Sequence, residues 1–333
     1  LCVMNQFTRF GGAPFSEEFP LITVVMAVYQ PNPVWLREQL ASIEQQDYPN
    51  LELLIRDDCS GEESVRQTKE VIAGEVHRIP CTFSISERNM GSNKAFEQLT
   101  RDASGQFIAY CDQDDIWLPQ KLTRLYRQIV EQQADLVYSD LFVIDGDGKL
   151  LSDSMTKVRK HHVFRDVQNA AGTLLYHNFI VGCTMLLYAE TAKKSVPFLE
   201  SMVHDHYLAL YCAVNGRLSF CDEPLIQYRM HGGNQTGVLF GVADKATYYT
   251  NRVALFDERI QAIAKRFAFP ALEEALSWNS ARLAFFQKEP HARIRYFRLR
   301  KADIRTTLFE LLCWNLPERL FRTVLSLIQR NKI

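Results

Sequence analysis

No apolar run in this sequence approaches the ~18–20 residues that a membrane-crossing helix requires. No basic-then-apolar leader stands at the start, and Leu1 in place of Met is what an excised region of a longer chain would show. Close cysteine spacing is also missing. The eight cysteines (Cys2, Cys59, Cys81, Cys111, Cys183, Cys212, Cys221, Cys313) include no CxxC pair, which argues against a zinc framework and against a densely bridged secreted scaffold. An excess of one charge is absent too: 38 Lys and Arg stand against 39 Asp and Glu. Glycine is lacking in "AVYQPNPVW", where a phosphate-cradling loop would follow the first strand. That counts against a nucleotidyltransferase. There is no internal repeat and no low-complexity tract. A reducing cytosol is the expected compartment, with peripheral attachment to the inner face of the plasma membrane as the alternative.

What is present is the composition of a soluble globular protein: 333 residues, 47% hydrophobic and 23% charged, enough for one large or two smaller domains. "LITVVMAVY" (21–29) is a continuous β-branched run, the pattern of a strand buried on both faces. "VWLREQLASIEQQ" (34–46) has helical spacing, and "LELLIRDDCS" (51–60) is a second buried strand. "EESVRQTKEVIAG" (62–74) predicts a helix closing near Gly74. "CTFSIS" (81–86) predicts a strand, "NKAFEQLTRDASG" (93–105) a helix and "QFIAYCD" (106–112) a strand. "PQKLTRLYRQIVEQ" (119–132) predicts a helix with Pro119 near its first position.

Such alternation predicts a parallel α/β sheet with ligands beyond the carboxyl ends of its strands, where "RDD", "SERNMG" and "DQDD" all fall. Beyond residue 135, "DLVYSDLFVIDGDGKLL" reads as strand, turn, strand. "NFIVGCTMLLYAE" (178–190) reads as a strand, "HDHYLALYCAVNG" (204–216) as a helix, and "RLSFCDEPLIQYRMHGGN" (217–234) as strand, bend and loop. From 245 onward the periodicity is helical.

The stretch "FIAYCDQDDIWLPQKL" puts Asp112, Asp114 and Asp115 into four positions. In an extended segment Asp112 and Asp114 point to one side, as two ligands of a hard cation such as Mg²⁺ or Mn²⁺ would. Asp115 suits the N-terminus of the following helix. A solvated turn is the alternative for all three.

Together, "VVMAVYQPN", "LELLIRDDCS", "RNMGSNKAFEQLTRDASGQFIAYCDQDDIWLPQKL", "HDHYLAL" and "YRMHGGN" resemble the family 2 inverting glycosyltransferases. The resemblance covers about residues 20–235 and is nearest to bacterial rhamnosyltransferase-like enzymes of surface-polysaccharide synthesis. It implies an α/β GT-A fold, Rossmann-like, with a mostly parallel central sheet. The implied organisation is an irregular arm (1–19), a catalytic domain (20–240, with nucleotide-binding and acceptor-binding halves at 20–135 and 136–240) and a helical basic region (241–333).

The resemblance also implies site roles. Tyr29 would lie near the base of a dTDP or UDP sugar, and Asp58 would accept from a base N–H. Asn89 and Gly91 would close over the donor. Asp112 and Asp114 would hold Mg²⁺ or Mn²⁺, with Arg229 near the diphosphate and His231 completing the metal shell. Asp205 would be the general base, and His204 and His206 would lie on the acceptor side. Capping and turn roles remain the alternatives for Asp58, Asn89, Gly91 and Asp205, a solvated loop for Arg229 and His231, and zinc ligation for His204 and His206. The partners implied are a nucleotide-diphosphate sugar and a glycan or lipid-linked acceptor. A non-catalytic sugar-binding module of a larger protein is the competing function.

From Asn251 onward sixteen Lys and Arg outnumber eight Asp and Glu. In "HARIRYFRLRKADIR" (291–305) cations alternate with Ile294, Tyr296, Phe297 and Leu299. This fits either an interfacial helix on anionic lipid or a packed extension with a solvated basic face. No nucleic-acid module accompanies the charge, so no nucleic-acid partner is expected.

Overall fold

The computed structural model describes residues 19–158, 169–231, 239 and 241–329. Apart from Phe19, the expected N-terminal arm lies outside the described residues, as do Gly232, Gly233 and Asn234 of "YRMHGGN". The first apolar run forms β1 (Ile22–Val28), and the alternation continues through α1 (Pro33–Glu44), β2 (Leu51–Asp57), α2 (Glu62–Glu75), β3 (Cys81–Ile85), α3 (Ser92–Asp102) and β4 (Phe107–Cys111). Helix α1 starts where Asn32 accepts from the Val34 N–H and Pro33 supplies a preset φ. Its Leu36, Leu40 and Ile43 bury one face against the sheet. A two-residue β5 (Ile116–Trp117) and α4 (Lys121–Glu131) complete the first half.

The second half contains β6 (Leu136–Ile144), β7 (Leu150–Ser152), α5 (Met155–Val158), α6 (Ala170–Tyr176), a 3₁₀ turn at Gly182–Thr184, β8 (Met185–Tyr188), α7 (Ala189–Lys194), α8 (His204–Asn215) and β9 (Leu218–Arg229). One sheet joins all nine strands in the order β3-β2-β1-β4-β8-β6-β9-β5, with β7 beside β6. β1, β2, β3, β4, β6 and β9 run one way, while β8, β5 and β7 run against them. The mostly parallel α/β sheet expected from the sequence is therefore present.

Three details differ. Gly74 is helical, and α2 ends at an extended Val76 instead. Pro119 precedes α4, whose first residue is Lys121. The run 178–190 is a short strand between a 3₁₀ turn and a helix, because Gly182 breaks it and Ala189 opens α7. Pro224 lies within β9 opposite Asp140, where the register with β6 shifts, the place a sheet tolerates a missing N–H.

The chain then turns helical: α9 (Lys245–Tyr248), a π-helical segment (Tyr249–Ala254), α10 (Leu255–Ala264), α11 (Pro270–Phe286), α12 (Ala292–Arg298), α13 (Ile304–Cys313) and α14 (Glu318–Gln329). The sheet's core extends into α10 and α11 through Ile260, Ile263, Leu272 and Ala275. Further clusters form around Trp278 and Tyr296, and around Tyr248 and Phe321. Among the described residues no helix is long and apolar enough to cross a membrane.

Candidate active site

Six strands running one way deliver their carboxyl ends to one edge: Tyr29 after β1, Asp58 after β2, Ser86 after β3, Asp112 after β4, Asp145 after β6 and Arg229 closing β9. Strand β8 runs the other way, so its beginning, with Gly182–Thr184 before it, arrives at the same edge. Here the acids of the first half meet those of the second.

The ligating atoms of Asp112, Asp115 and Cys183 lie within 4.8 Å of one another. Asp112 is pushed up to about 7 by burial and by the charges of Asp114 and Asp205. Asp112, Asp114 and Asp205 therefore share one electrostatic neighbourhood. Asp115 is fully buried. One of its oxygens accepts from the Arg229 N–H (3.0 Å), and the other finds no hydrogen-bond partner among the described residues. Beneath the acids Lys121, also fully buried, donates to the Cys183 carbonyl (2.7 Å) and lies 3.0 Å from the centre of the Trp117 ring. Burial draws its ammonium down to about 7, against the opposing pull of the nearby thiols and carboxylates.

Asp205 occupies the first turn of α8, whose N-cap is Val203. Its Oδ1 accepts from Asn178 Nδ2 (3.1 Å) and the His206 N–H (2.6 Å), and its Oδ2 from the Gly182 N–H (3.1 Å). Burial lifts this carboxyl to about 6, although those hydrogen bonds favour the charged form. The Gly182–Thr184 turn thus holds Asp205 through Gly182, and it touches the metal-type acids through Cys183. A Cβ on Gly182 would lie 2.8 Å from His204 Nε2 and 3.4 Å from Asp205 Cβ.

His231 Nε2 pairs with Asp114 Oδ2 at 2.7 Å, and its ring sits 4.7 Å from that of Trp35. Arg229, 1% exposed, donates from Nε to the Asp114 carbonyl (2.8 Å) and from one terminal nitrogen to the Asp145 and Gly146 carbonyls (3.3 and 3.1 Å). Its other terminal nitrogen pairs with Glu38 (2.5 Å). Its guanidinium thus clamps four protein acceptors at the sheet edge. Trp35 Nε1 donates to the same Gly146 carbonyl (3.0 Å).

Gln113, between the two acids, brackets the end of β1: the Tyr29 N–H donates to its Oε1 (2.9 Å), and its Nε2 donates to the Tyr29 carbonyl (3.3 Å). Tyr29 itself is 46% exposed. Asp58 is buried and accepts from the N–H groups of Met90 (3.0 Å) and Gly91 (2.7 Å), so it anchors the 89–91 loop. Asn89 accepts from Gly91 (3.2 Å), and Gly91 takes a φ of 83°, which favours glycine.

The two histidines expected on the acceptor side stand in the interior. His204 stacks on Phe96, with ring centres 4.0 Å apart, and His206 meets the Leu174 carbonyl at 2.5 Å. Burial pulls both imidazoles down to about 3.

Sequence reasoning missed Gln113, Gly182, Cys183 and Lys121. A lone glycine within an apolar run is the signal that marks Gly182. A cation in the first turn of a helix, where the dipole disfavours it, marks Lys121.

A clustered set of carboxylates at a strand edge, with one buried oxygen unpartnered, fits a hard divalent cation. The thiol of Cys183, held protonated by burial, does not suit that role. Asp112 and Asp114, half-buried at the mouth, are the better ligands.

Comparison with known proteins agrees with this fold. A protein of Sinorhizobium fredii named "Uncharacterized protein y4gI" is 35% identical over 125 residues, 36% of this chain, and the match spans 13% of that longer protein. The dTDP-rhamnosyl transferase RfbG of Shigella flexneri is 25% identical over 235 residues, covering 67% of this chain and 76% of that one. The S. aureus TarS 1–349 structure in complex with UDP-GlcNAc superposes with a TM-score of 0.58 at 15% identity, over 93% of this chain and 92% of that one, a likeness of fold. The sequence profile described as "Glycosyl transferase family 2" matches residues 23–189, half of the sequence, and the chain belongs to that family.

Proposed function

We propose that this chain is an inverting, metal-dependent glycosyltransferase. It moves a sugar from a nucleotide-diphosphate donor to a hydroxyl of a surface glycan on an oligosaccharide or lipid carrier. RfbG makes dTDP-L-rhamnose the first donor to test, and TarS makes a UDP sugar the second. One observation carries the reading: the Gly182–Thr184 turn joins Asp205 to the Asp112–Asp115 cluster.

The chemistry follows from that juxtaposition. The Asp205 carboxylate takes the proton of the acceptor hydroxyl as its oxygen bonds to the anomeric carbon. The bond from that carbon to the diphosphate oxygen breaks, and the diphosphate leaves with the electron pair. Attack opposite the leaving group inverts the centre. Asp112 and Asp114, with His231 beside them, would hold the cation, which when bound neutralises charge on the departing diphosphate. Asn178, Gly182 and the His206 N–H fix the orientation of Asp205. Tyr29, 46% exposed, offers a ring face to the base.

The test is a thermal-shift screen of nucleotide sugars with Mn²⁺ or Mg²⁺, followed by transfer assays. Asp205→Asn is expected to bind donor and not transfer it, and Asp114→Ala to lose metal-dependent donor binding. Full turnover by Asp205→Asn would remove the base assignment.

A further inference from the structure

Helices that coat a globular domain normally turn polar side chains outward. α13 does not. It buries Thr307, Glu310 and Leu311 against the Trp278 and Tyr296 cluster and leaves Ile304, Leu308 and Leu312 exposed at 52%, 38% and 69%. Those three lie four residues apart, hence on one stripe. The preceding α12 behaves alike: Ala292 and Tyr296 are buried, while Ile294 and Phe297 are 55% and 44% exposed. Arg293 of α12 donates to the Leu311 carbonyl of α13 (3.2 Å), and the buried Ala292, Tyr296 and Leu311 share one cluster, so the two helices pack as one hairpin. Seven of the fifteen exposed large hydrophobic side chains among the described residues fall between Ile294 and Leu327.

Exposed charge on this hairpin has one sign, since Asp303 and Glu310 are buried. Residues 290–309 contain Arg293, Arg295, Arg298, Arg300, Lys301 and Arg305. Their one acid, Asp303, is buried at the start of α13, where it accepts from the Thr306 N–H (3.1 Å). Arg300 lies 4.2 Å over the Phe297 ring, a cation held against an apolar side chain. Nucleic acid would use the cations but not an aliphatic stripe. A surface combining both kinds of group, apolar residues flanked by arginine and lysine, matches the boundary between acyl chains and anionic headgroups.

We propose that the α12–α13 hairpin docks on an anionic lipid bilayer, with Ile304, Leu308 and Leu312 entering the headgroup–acyl boundary and the cations on phosphates. The hairpin shares no residue with the acid cluster, so docking stands independently of the catalytic reading.

The test is flotation of the full chain with vesicles of phosphatidylcholine alone and of phosphatidylcholine with phosphatidylglycerol. The protein is expected to float with the anionic vesicles only, and less at high salt. Ile304→Gln/Leu308→Gln/Leu312→Gln is expected to weaken that binding on the order of tenfold or more. Arg295→Ser/Arg298→Ser/Lys301→Ser should weaken it on the order of a hundredfold. Both variants should keep the wild-type melting temperature, which shows that they are folded. Equal flotation with both vesicle types, or none, overturns the proposal. So does a wild-type dimer that the leucine-stripe variant converts to monomer, since a second copy would then be the occupant. Loss of transfer activity in Asp205→Asn leaves flotation unchanged, so each reading fails by itself.

Discussion

At the scale of single residues, the raised carboxyl of Asp205 would set the pH dependence of the proposed transfer. A base must be ionised to accept a proton, and this one titrates near 6. Its charged fraction therefore grows as pH rises through that value. With metal saturating, kcat/KM is expected to climb from pH 5 to a plateau above 7, and a pH–rate profile checks it. Gly182 is the second sensitive point. Its missing side chain faces His204, which is buried and stacked on Phe96 with the Tyr110 ring 5.4 Å away. Gly182→Ala is expected to cost about 1–3 kcal/mol in a urea melt. By displacing Asp205 it should lower transfer on the order of tenfold to a hundredfold.

At the scale of elements, β9 supports the edge of the site through Arg229, which joins the Asp114 backbone, Glu38 on α1 and the turn after β6. Arg229→Lys keeps the charge but not the planar fork. It is expected to weaken Mn²⁺-dependent donor binding on the order of tenfold to a hundredfold, as loss of a partner behind a metal ligand does. A metal titration followed by thermal shift reads this out. Farther along, Arg282 and Glu310 form an ion pair 3% and 0% exposed, with Tyr248 and Tyr296 hydroxyls donating to the same carboxylate. Glu310→Ala leaves a buried guanidinium without its counter-charge and is expected to cost about 3–5 kcal/mol. Glu310→Gln should cost less, and both are measured by denaturant midpoint.

At the scale of the whole molecule, the two buried histidines tie stability to acidity. Their ordinary value is 6.5 and burial draws them to about 3. Below 6.5 the unfolded chain takes up protons that the folded one refuses, so their contribution is present above that pH and is lost progressively as pH falls toward 3. The raised carboxyls of Asp112 and Asp205 act in the opposite sense, so the histidine share is read as a difference: the urea midpoint of the wild type relative to that of His206→Gln is expected to fall from pH 7 to pH 5.

Much of the architecture was legible because buried parallel strands such as "ITVVMAV" and "FIAYC" carry unbroken apolar runs, and "CDQDD" marks its own strand end. Less legible were contacts between distant segments. Nothing local says that Arg229 turns to backbone carbonyls, that Asp58 holds residues 90 and 91, or that His204 lies against Phe96. Those outcomes depend on which neighbours the sheet order supplies. The run 178–190 misled because hydrophobicity alone does not separate a short strand from the turn that introduces it.

The clamp made by Arg229 also has a temporal meaning. Its partners lie near residues 38, 114 and 146, and it is the last of them to leave the ribosome. A nascent or clipped polypeptide ending before β9 carries the acids without the brace that orders them. The acid cluster at the sheet edge therefore gains this brace only once synthesis has passed residue 229.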